Sequence, residues 1–263
     1  MRRPGGELAT RPLHFIWITD CSGSMKSSGK IQALNTAIRE AVPHMAKVAD
    51  ENPNADVLVR AIKFSSGAQW HVAQETPVTQ FKWDDLSAGG STDMGKALSM
   101  VADQLKIPPM SERALPPVLV LVSDGQPTDN FNKGLAALLD EPWGKKAVRM
   151  AIAIGEDADL EVLRRFIGHP EIEPLQANNP EALVNYIKWV STAVLQAASS
   201  PASQTAAAPL AGSGAGAAAG AQLSISQSAP AAQPISQGAN VPVPVPVPVL
   251  AGAAAPATAA DVW

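Results

Sequence analysis

The chain has 263 residues, of which 17% are charged, and its formal net charge at pH 7 is −4. This length is enough for one large domain with a hydrophobic core and some additional sequence. The acidic balance argues against a generally basic nucleic-acid-binding surface, and the single cysteine, Cys21, excludes both a disulfide framework and a zinc site built from paired thiolates.

Residues 1–12 are predicted to form an N-terminal extension. This stretch contains no apolar segment typical of an export signal. The rest of the chain contains no unbroken apolar run long enough to cross a bilayer. The sequence therefore predicts a cytoplasmic protein that does not enter the membrane.

Residues 13–198 alternate between strand-like and helix-like segments. The predicted strands are 13–19, 55–64, 68–73, 117–123 and 147–155, and the predicted helices are 30–51, 93–106, 131–141, 159–168 and 180–198. The central strands are apolar at both odd and even positions, as expected when helices cover both faces of a sheet. This alternation predicts a doubly wound α/β domain with a mainly parallel sheet. The close spacing of 55–64 and 68–73 predicts an antiparallel hairpin at one edge.

Composition changes near residue 199. Residues 199–263 consist almost entirely of Ala, Pro, Ser, Gln, Gly and a few apolar residues, and Asp261 is their one charged residue. Such small side chains bury too little apolar surface to offset the entropy of ordering, so this tail is predicted to be disordered. Its VPVPVPVPVL run favours polyproline II, and the DVW segment at 261–263 carries a carboxylate and an aromatic ring that a partner could recognise.

Hydroxyl and carboxylate side chains collect in three loops. Asp20, Ser22 and Ser24 directly follow the first predicted strand, Thr92 precedes the second helix, and Asp124 follows the strand 117–123. Ligands of parallel α/β sheets bind at the carboxyl ends of the strands, where all three loops are predicted to lie. These five residues are therefore the candidate functional set.

Four other types of site fit these residues less well. A Walker A loop has four residues between its glycines, whereas five separate Gly23 from Gly29, and Ile31 stands where a Ser or Thr must follow Lys30. An aspartyl-phosphatase nucleophile would need a second carboxylate where this loop has a serine. The loop lacks the GxSxG pattern of a serine hydrolase. Cys21 has no evident histidine partner for nucleophilic catalysis.

The alternative is a metal site made of oxygen ligands. Serine and threonine hydroxyls with two carboxylates suit Mg²⁺ or Mn²⁺, which prefer octahedral oxygen coordination and retain some water. If the carboxylates act mainly through water, the ligands in direct contact are neutral and one position favours an acidic side chain of another protein. Hydrolysis would need a positioned base, and none is evident among the histidines. The sequence therefore predicts a non-enzymatic binding site.

Three segments carry a family resemblance. DCSGSM (20–25), GGSTDMGKAL (89–98) and VLVSDGQPTD (120–129) resemble the three parts of the metal-ion-dependent adhesion site (MIDAS) of von Willebrand factor A (VWA) domains. The resemblance covers about residues 13–198. It implies that Ser22, Ser24 and Thr92 are hydroxyl ligands, and that Asp20 and Asp124 have supporting or water-mediated roles.

Within this family, the segments ITDCSGSM and SDGQPTD resemble bacterial TerY-like proteins. That resemblance implies a tellurium-resistance or stress-response setting with a protein kinase and a PP2C-type phosphatase as partners. Some relatives carry a cysteine-rich C-terminal module, whereas this chain has the Ala/Pro-rich tail. Two other hypotheses stay open, namely an accessory subunit of an AAA+ ATPase and a metal-dependent phosphohydrolase.

Several neighbouring residues have alternative roles. Ser91 is a second candidate hydroxyl beside Thr92, and Asp93 is predicted to cap the second helix. Asp129 could approach the site from behind the metal ligands. Trp83 could either line a partner surface or pack in the core.

Overall fold

The computed structural model describes residues 10–52 and 54–199. Its strands are β1 (Arg11–Asp20), β2 (Ala55–Ser65), β3 (Gly67–Pro77), β4 (Val118–Ser123), β5 (Val148–Ile154) and β6 (Leu175–Ala177). Its helices are α1 (Lys30–Asp50), α2 (Met94–Gln104), α3 (Phe131–Asp140), α4 (Pro142–Lys146), α5 (Leu160–Ile167), α6 (Pro180–Trp189) and α7 (Leu195–Ala198). Short 3-10 segments cover Gly23–Gly29 and Val78–Gln80.

The strands form one sheet in the order β3-β2-β1-β4-β5-β6. Neighbouring strands are parallel throughout, except that β2 and β3 pair in the antiparallel direction. The predicted fold class is therefore confirmed, including the antiparallel hairpin at one edge.

Helices cover both faces of this sheet. Phe15 and Trp17 of β1 point into a core that includes residues of α1, α6 and α7, whereas Ile16 and Ile18 point into a core that includes residues of α2 to α5. Since side chains alternate along a strand, a strand buried on both faces must be apolar at every position. This double burial is the reason why β1 and β4 have no polar face.

The order of the strands reverses direction around β1. The chain passes from β1 to β2 on one side and later returns to place β4 on the other side of β1. Such a reversal opens a crevice at the carboxyl ends of the two central strands. Asp20 is the last residue of β1 and Asp124 directly follows β4, so both lie at this crevice.

Some elements differ from the sequence prediction. The three-residue β6 and the five-residue α4 were not predicted, and a π-helical segment, Val190–Val194, interrupts the predicted helix 180–198. Strand β1 begins at Arg11, inside the predicted N-terminal extension. The predicted disordered tail lies outside the described residues beyond Ser199. No helix in the described part of the chain is long and apolar enough to cross a membrane.

Candidate metal centre

The loop after β1 brings Asp20, Ser22 and Ser24 into one chain of contacts. Asp20 is fully buried, and its Oδ1 accepts a hydrogen bond of 2.7 Å from the backbone N–H of Ser22. The Oγ atoms of Ser22 and Ser24 are 2.9 Å apart. Since Ser22 is buried and Ser24 is exposed, the two hydroxyls lead from the buried carboxylate to the surface.

Backbone hydrogen bonds join this loop to the second predicted loop. The N–H of Gly23 donates to the carbonyl of Gly90 at 2.9 Å, and the N–H of Gly89 donates to the carbonyl of Cys21 at 2.8 Å. A Cβ atom at position 23 would lie only 3.2 Å from the Gly90 oxygen, so the close approach favours glycine there.

Thr92 links the second loop to the third. Its N–H donates to the hydroxyl of Thr128 at 2.9 Å, and the N–H of Thr128 donates back to the carbonyl of Thr92 at 2.9 Å. Thr92 is buried, whereas the hydroxyl of Ser91 donates to the hydroxyl of Ser66 at 3.1 Å. The three loops therefore form one connected cluster in which Ser91 is already engaged elsewhere.

Asp124 has an unsatisfied oxygen. The residue is 1% exposed, and its Oδ1 is buried without a hydrogen-bond partner among residues 10–52 and 54–199. An ionised carboxylate is costly to bury unless it is paired or coordinates a cation. A buried carboxylate oxygen without a partner fits the oxygen donors that a hard divalent ion prefers.

Sequence reasoning missed the role of Ser123. Its hydroxyl donates to Oδ2 of Asp20 at 2.5 Å and accepts from the N–H of Gly125 at 2.9 Å. The sequence signal for this role is the position of the Ser123 hydroxyl at the end of a buried apolar strand. Ser123 orients the Asp20 carboxylate, so the two central strands are joined through their side chains.

The electrostatics of the cluster are unfavourable for negative charge. Burial raises the pKa of Asp20 to about 6, and the nearby charge of Asp124 contributes in the same direction. Hydrogen bonds from Ser123 and Ser22 oppose this rise in the Asp20 pKa. Burial also raises the pKa of Cys21 to about 12, so its thiolate is not available as a nucleophile near neutral pH.

We expect the metal-free protein to lose stability as pH rises through the titration of Asp20. A folded-state pKa of about 6, against an ordinary value of 3.8, means that the folded state holds the proton more tightly. The free energy of unfolding should therefore fall by about 3 kcal/mol between roughly pH 4 and pH 6. Asp20→Asn should not show this decrease.

Urea unfolding of both proteins in EDTA across this pH range measures the difference. His14 and His71, whose pKa values are lowered by burial, titrate in both proteins and cancel in the comparison. Parallel curves of unfolding free energy against pH for the two proteins would contradict the expected role of Asp20.

The cap of α2 differs from the prediction. Asp93 occupies the N-cap position, but its side chain accepts from the N–H of Gly67 at 2.9 Å and pairs with Lys96, and makes no capping bond. Asp129 serves as the cap instead, because its two oxygens accept from the N–H groups of Gly95 and Lys96, each at 2.8 Å. The prediction that Asp93 itself caps the helix was wrong.

Trp83 belongs to the core. Its ring is 8% exposed and lies 4.8 Å from the ring of His71, and its Nε1 donates to Oδ1 of Asn35 at 3.1 Å. Of the two roles considered for Trp83, core packing is the one that the structure contains.

No group of three or more His, Cys, Asp or Glu side chains in the described ranges could hold a metal ion. The predicted site has a different composition, with two carboxylates and three hydroxyls. The structure joins Asp20, Ser22 and Ser24 by hydrogen bonds and ties the loops of Thr92 and Asp124 to one another. The ligand set itself stays a prediction.

Comparisons with known proteins show similarity in one family. Residues 16–186 match the model of the von Willebrand factor type A domain. Similar solved structures include the ArnB paralog VWA2 from Sulfolobus acidocaldarius, with 19% identity, a TM-score of 0.50 and coverage of 67% of this chain and 44% of that one. The von Willebrand factor type A protein from Catenulispora acidiphila has 15% identity, a TM-score of 0.53 and coverage of 71% and 43%.

The pilus adhesin SpaC from Lactobacillus rhamnosus GG is also similar, with 13% identity, a TM-score of 0.57 and coverage of 71% of this chain and 31% of that one. The chain thus spans less than half the length of these three structures. Because these identities are all below 20%, the likeness to these structures supports the fold alone. A search of curated protein sequences gives no match.

Proposed function

Because this chain belongs to the von Willebrand factor type A domain family, we propose that it is a Mg²⁺-dependent protein-interaction module. Domains of this family are typically interaction modules without catalytic activity. The proposed metal site is of the MIDAS type, and Mn²⁺ is the alternative ion. The proposed binding partner supplies an acidic side chain.

The observation that carries this proposal is that Oδ1 of Asp124 is buried and has no hydrogen-bond partner within the described ranges. In the proposed site, Ser22, Ser24 and Thr92 hold the ion through their hydroxyls, and Asp20 and Asp124 hold it directly or through water. A bound divalent ion supplies a positively charged position that attracts a partner carboxylate. Asp20 and Asp124 offset part of the ionic charge from the buried side of the crevice.

Two of the four histidines already have partners elsewhere in the fold. His14 Nδ1 lies 3.8 Å from a carboxylate oxygen of Glu75, and His71 Nε2 forms a hydrogen bond of 2.9 Å with the carbonyl of Asp84. Both histidines are thus engaged with groups outside the proposed ligand set. We therefore rank the metal-dependent phosphohydrolase last among the proposed functions. Turnover of p-nitrophenyl phosphate with added Mn²⁺ would support that function instead.

The identity of the partner is proposed from sequence motifs. The segments ITDCSGSM and SDGQPTD support a TerY-like protein of the bacterial cytoplasm, with a protein kinase and a PP2C-type phosphatase as partners. The alternative is an accessory subunit of an AAA+ ATPase. Affinity purification in Mg²⁺ and in EDTA, followed by identification of the proteins recovered only with Mg²⁺, distinguishes these partners.

Mn²⁺ offers a direct test of the proposed site. We expect the chain to enhance the water-proton relaxation caused by Mn²⁺, because bound Mn²⁺ should retain water at its open position. Ser22→Ala should weaken Mn²⁺ binding by at least about tenfold through loss of a hydroxyl ligand. The matched control is Ser111→Ala, which removes an exposed hydroxyl from the loop before β4 and should leave binding unchanged. Equal affinity in both variants would contradict the proposed ligand set.

A further inference from the structure

A groove of about 440 Å³ lies between α2 and α3, and its lining begins at Gly95 on the first turn of α2. Ala68, Lys96, Met100 and Lys133 contribute to its walls. The helices pack backbone against backbone here, since a Cβ atom at Gly134 would lie 2.1 Å from the carbonyl oxygen of Gly95 on α2. The close backbone contact between these two helices thus forms the bottom of the groove.

The groove runs along α2. Thr92 lies two residues before the start of α2, and Gly95 and Lys96 in the first turn of this helix line the groove. Successive residues of a helix rise by about 1.5 Å, so Met100 lies about 6 Å beyond Lys96 along the axis. The end of the groove at Gly95 is thus close in sequence to the predicted ligand Thr92.

The groove is lined by Lys96, Lys133 and Asp129, and Lys96 already pairs with Asp93. Lys133 is exposed and forms no ion pair within the part of the chain that the structure describes. The carboxylate oxygens of Asp129 are both occupied by backbone N–H groups of α2, which reduces its capacity to pair with Lys133. Lys133 is therefore the lysine of this groove that is available to pair with a carboxylate of a partner.

The opposite side of the metal centre carries negative charge. Glu156, Asp157 and Glu161 are exposed in the loop after β5 and the first turn of α5. The side-chain amide of Gln126 donates to the carbonyl of Asp157 at 2.8 Å, which places this loop beside the one that contains Asp124. Lys30 lies 3.4 Å from Asp157 and offsets only part of this charge. An acidic partner would be repelled on this side.

We propose that the partner is an extended acidic segment that runs from the metal centre into the α2–α3 groove. This inference rests on the proposed function, which supplies the contact of the first carboxylate. Side chains two residues apart in an extended chain lie on the same side and are separated by about 7 Å, so a segment bound at the metal centre can reach the groove within a few residues. A second carboxylate would therefore approach Lys133, and an apolar side chain two residues later would contact Met100 and Ala68.

Two labelled peptides test the groove. Fluorescence anisotropy compares Asp-Gly-Asp-Gly-Leu with Asp-Gly-Asn-Gly-Leu, each amidated at its C-terminus, in Mg²⁺ and in EDTA. We expect the peptide with two carboxylates to bind about fivefold more tightly in Mg²⁺, the effect of one exposed ion pair. Lys133→Glu should abolish this preference. Lys82→Glu, which makes the same charge change at an exposed residue next to Trp83, should retain it.

The outcomes separate the two proposals. If both peptides bind only in Mg²⁺ and Lys133→Glu keeps the preference, the groove is not used and the metal-dependent function stands. If neither peptide binds more tightly in Mg²⁺ than in EDTA, the acidic partner is wrong and the groove proposal falls with it. A shift of the Met100 methyl resonance on addition of the peptide with two carboxylates, absent with Lys133→Glu, would support occupation of the groove directly.

Discussion

Asp124→Asn is expected to lower the affinity for Mg²⁺ by about 100-fold while leaving the metal-free protein at least as stable as the unmodified one. The affinity falls because the substitution removes a negative charge beside the ion or its bound water. Stability is retained because Oδ1 of Asp124 has no partner to lose in the described structure. Loss of its charge also removes a repulsion that contributes to the raised pKa of Asp20.

Calorimetric titration with Mg²⁺ and urea unfolding in EDTA measure the two effects of Asp124→Asn separately. Asp157→Asn is the matched control, because it removes an exposed carboxylate from the same edge of the sheet. We expect its Mg²⁺ affinity to stay within about twofold of the unmodified protein, as for a screened surface charge. Unchanged Mg²⁺ binding by Asp124→Asn would remove the main support for the metal site.

Gly134→Ala is expected to destabilise the protein by about 3 kcal/mol, although alanine is the better helix former. In an exposed helix this substitution would stabilise by about 1 kcal/mol. Here the added Cβ would lie 2.1 Å from the carbonyl oxygen and 2.6 Å from the Cα of Gly95, which are backbone atoms that cannot move without the helix. Overpacking against such atoms costs up to about 3 kcal/mol or more.

Thermal and urea unfolding of Gly134→Ala give the sign of this effect. The control is Ala136→Gly at an exposed position of the same helix, for which helix propensity alone predicts a loss of about 1 kcal/mol. A rise in the melting temperature of Gly134→Ala would show that α2 and α3 do not pack through their backbones at Gly95 and Gly134.

Much of the fold could be predicted because burial on both sides leaves a clear pattern. The segments at β1 and β4 carry apolar residues at both odd and even positions, and helices of ten or more residues show their buried face by periodicity. The elements β6 and α4 were missed because three and five residues are too few to establish a period. The hairpin of β2 and β3 was predicted because its turn contains Ser and Gly between two strand-like runs.

The candidate site was predictable to the extent that its residues follow strands. Asp20, Ser22 and Ser24 are neighbours in sequence, and Asp124 ends another predicted parallel strand, so topology alone brings their loops to one edge. The assignment of the α2 cap to Asp93 failed because sequence proximity could not reveal that Asp129, on the separate loop before α3, supplies the cap.

The sequence by itself determined the class of fold, the edge at which the polar loops meet and the oxygen chemistry of their side chains, because these follow from periodicity, strand direction and residue type. Only the tertiary structure decided that Ser123 orients Asp20, that one oxygen of Asp124 is buried without a hydrogen-bond partner among the described residues, and that a groove lies between α2 and α3. These features depend on distances of a few ångströms between distant segments, and such distances are set by how the helices and strands pack.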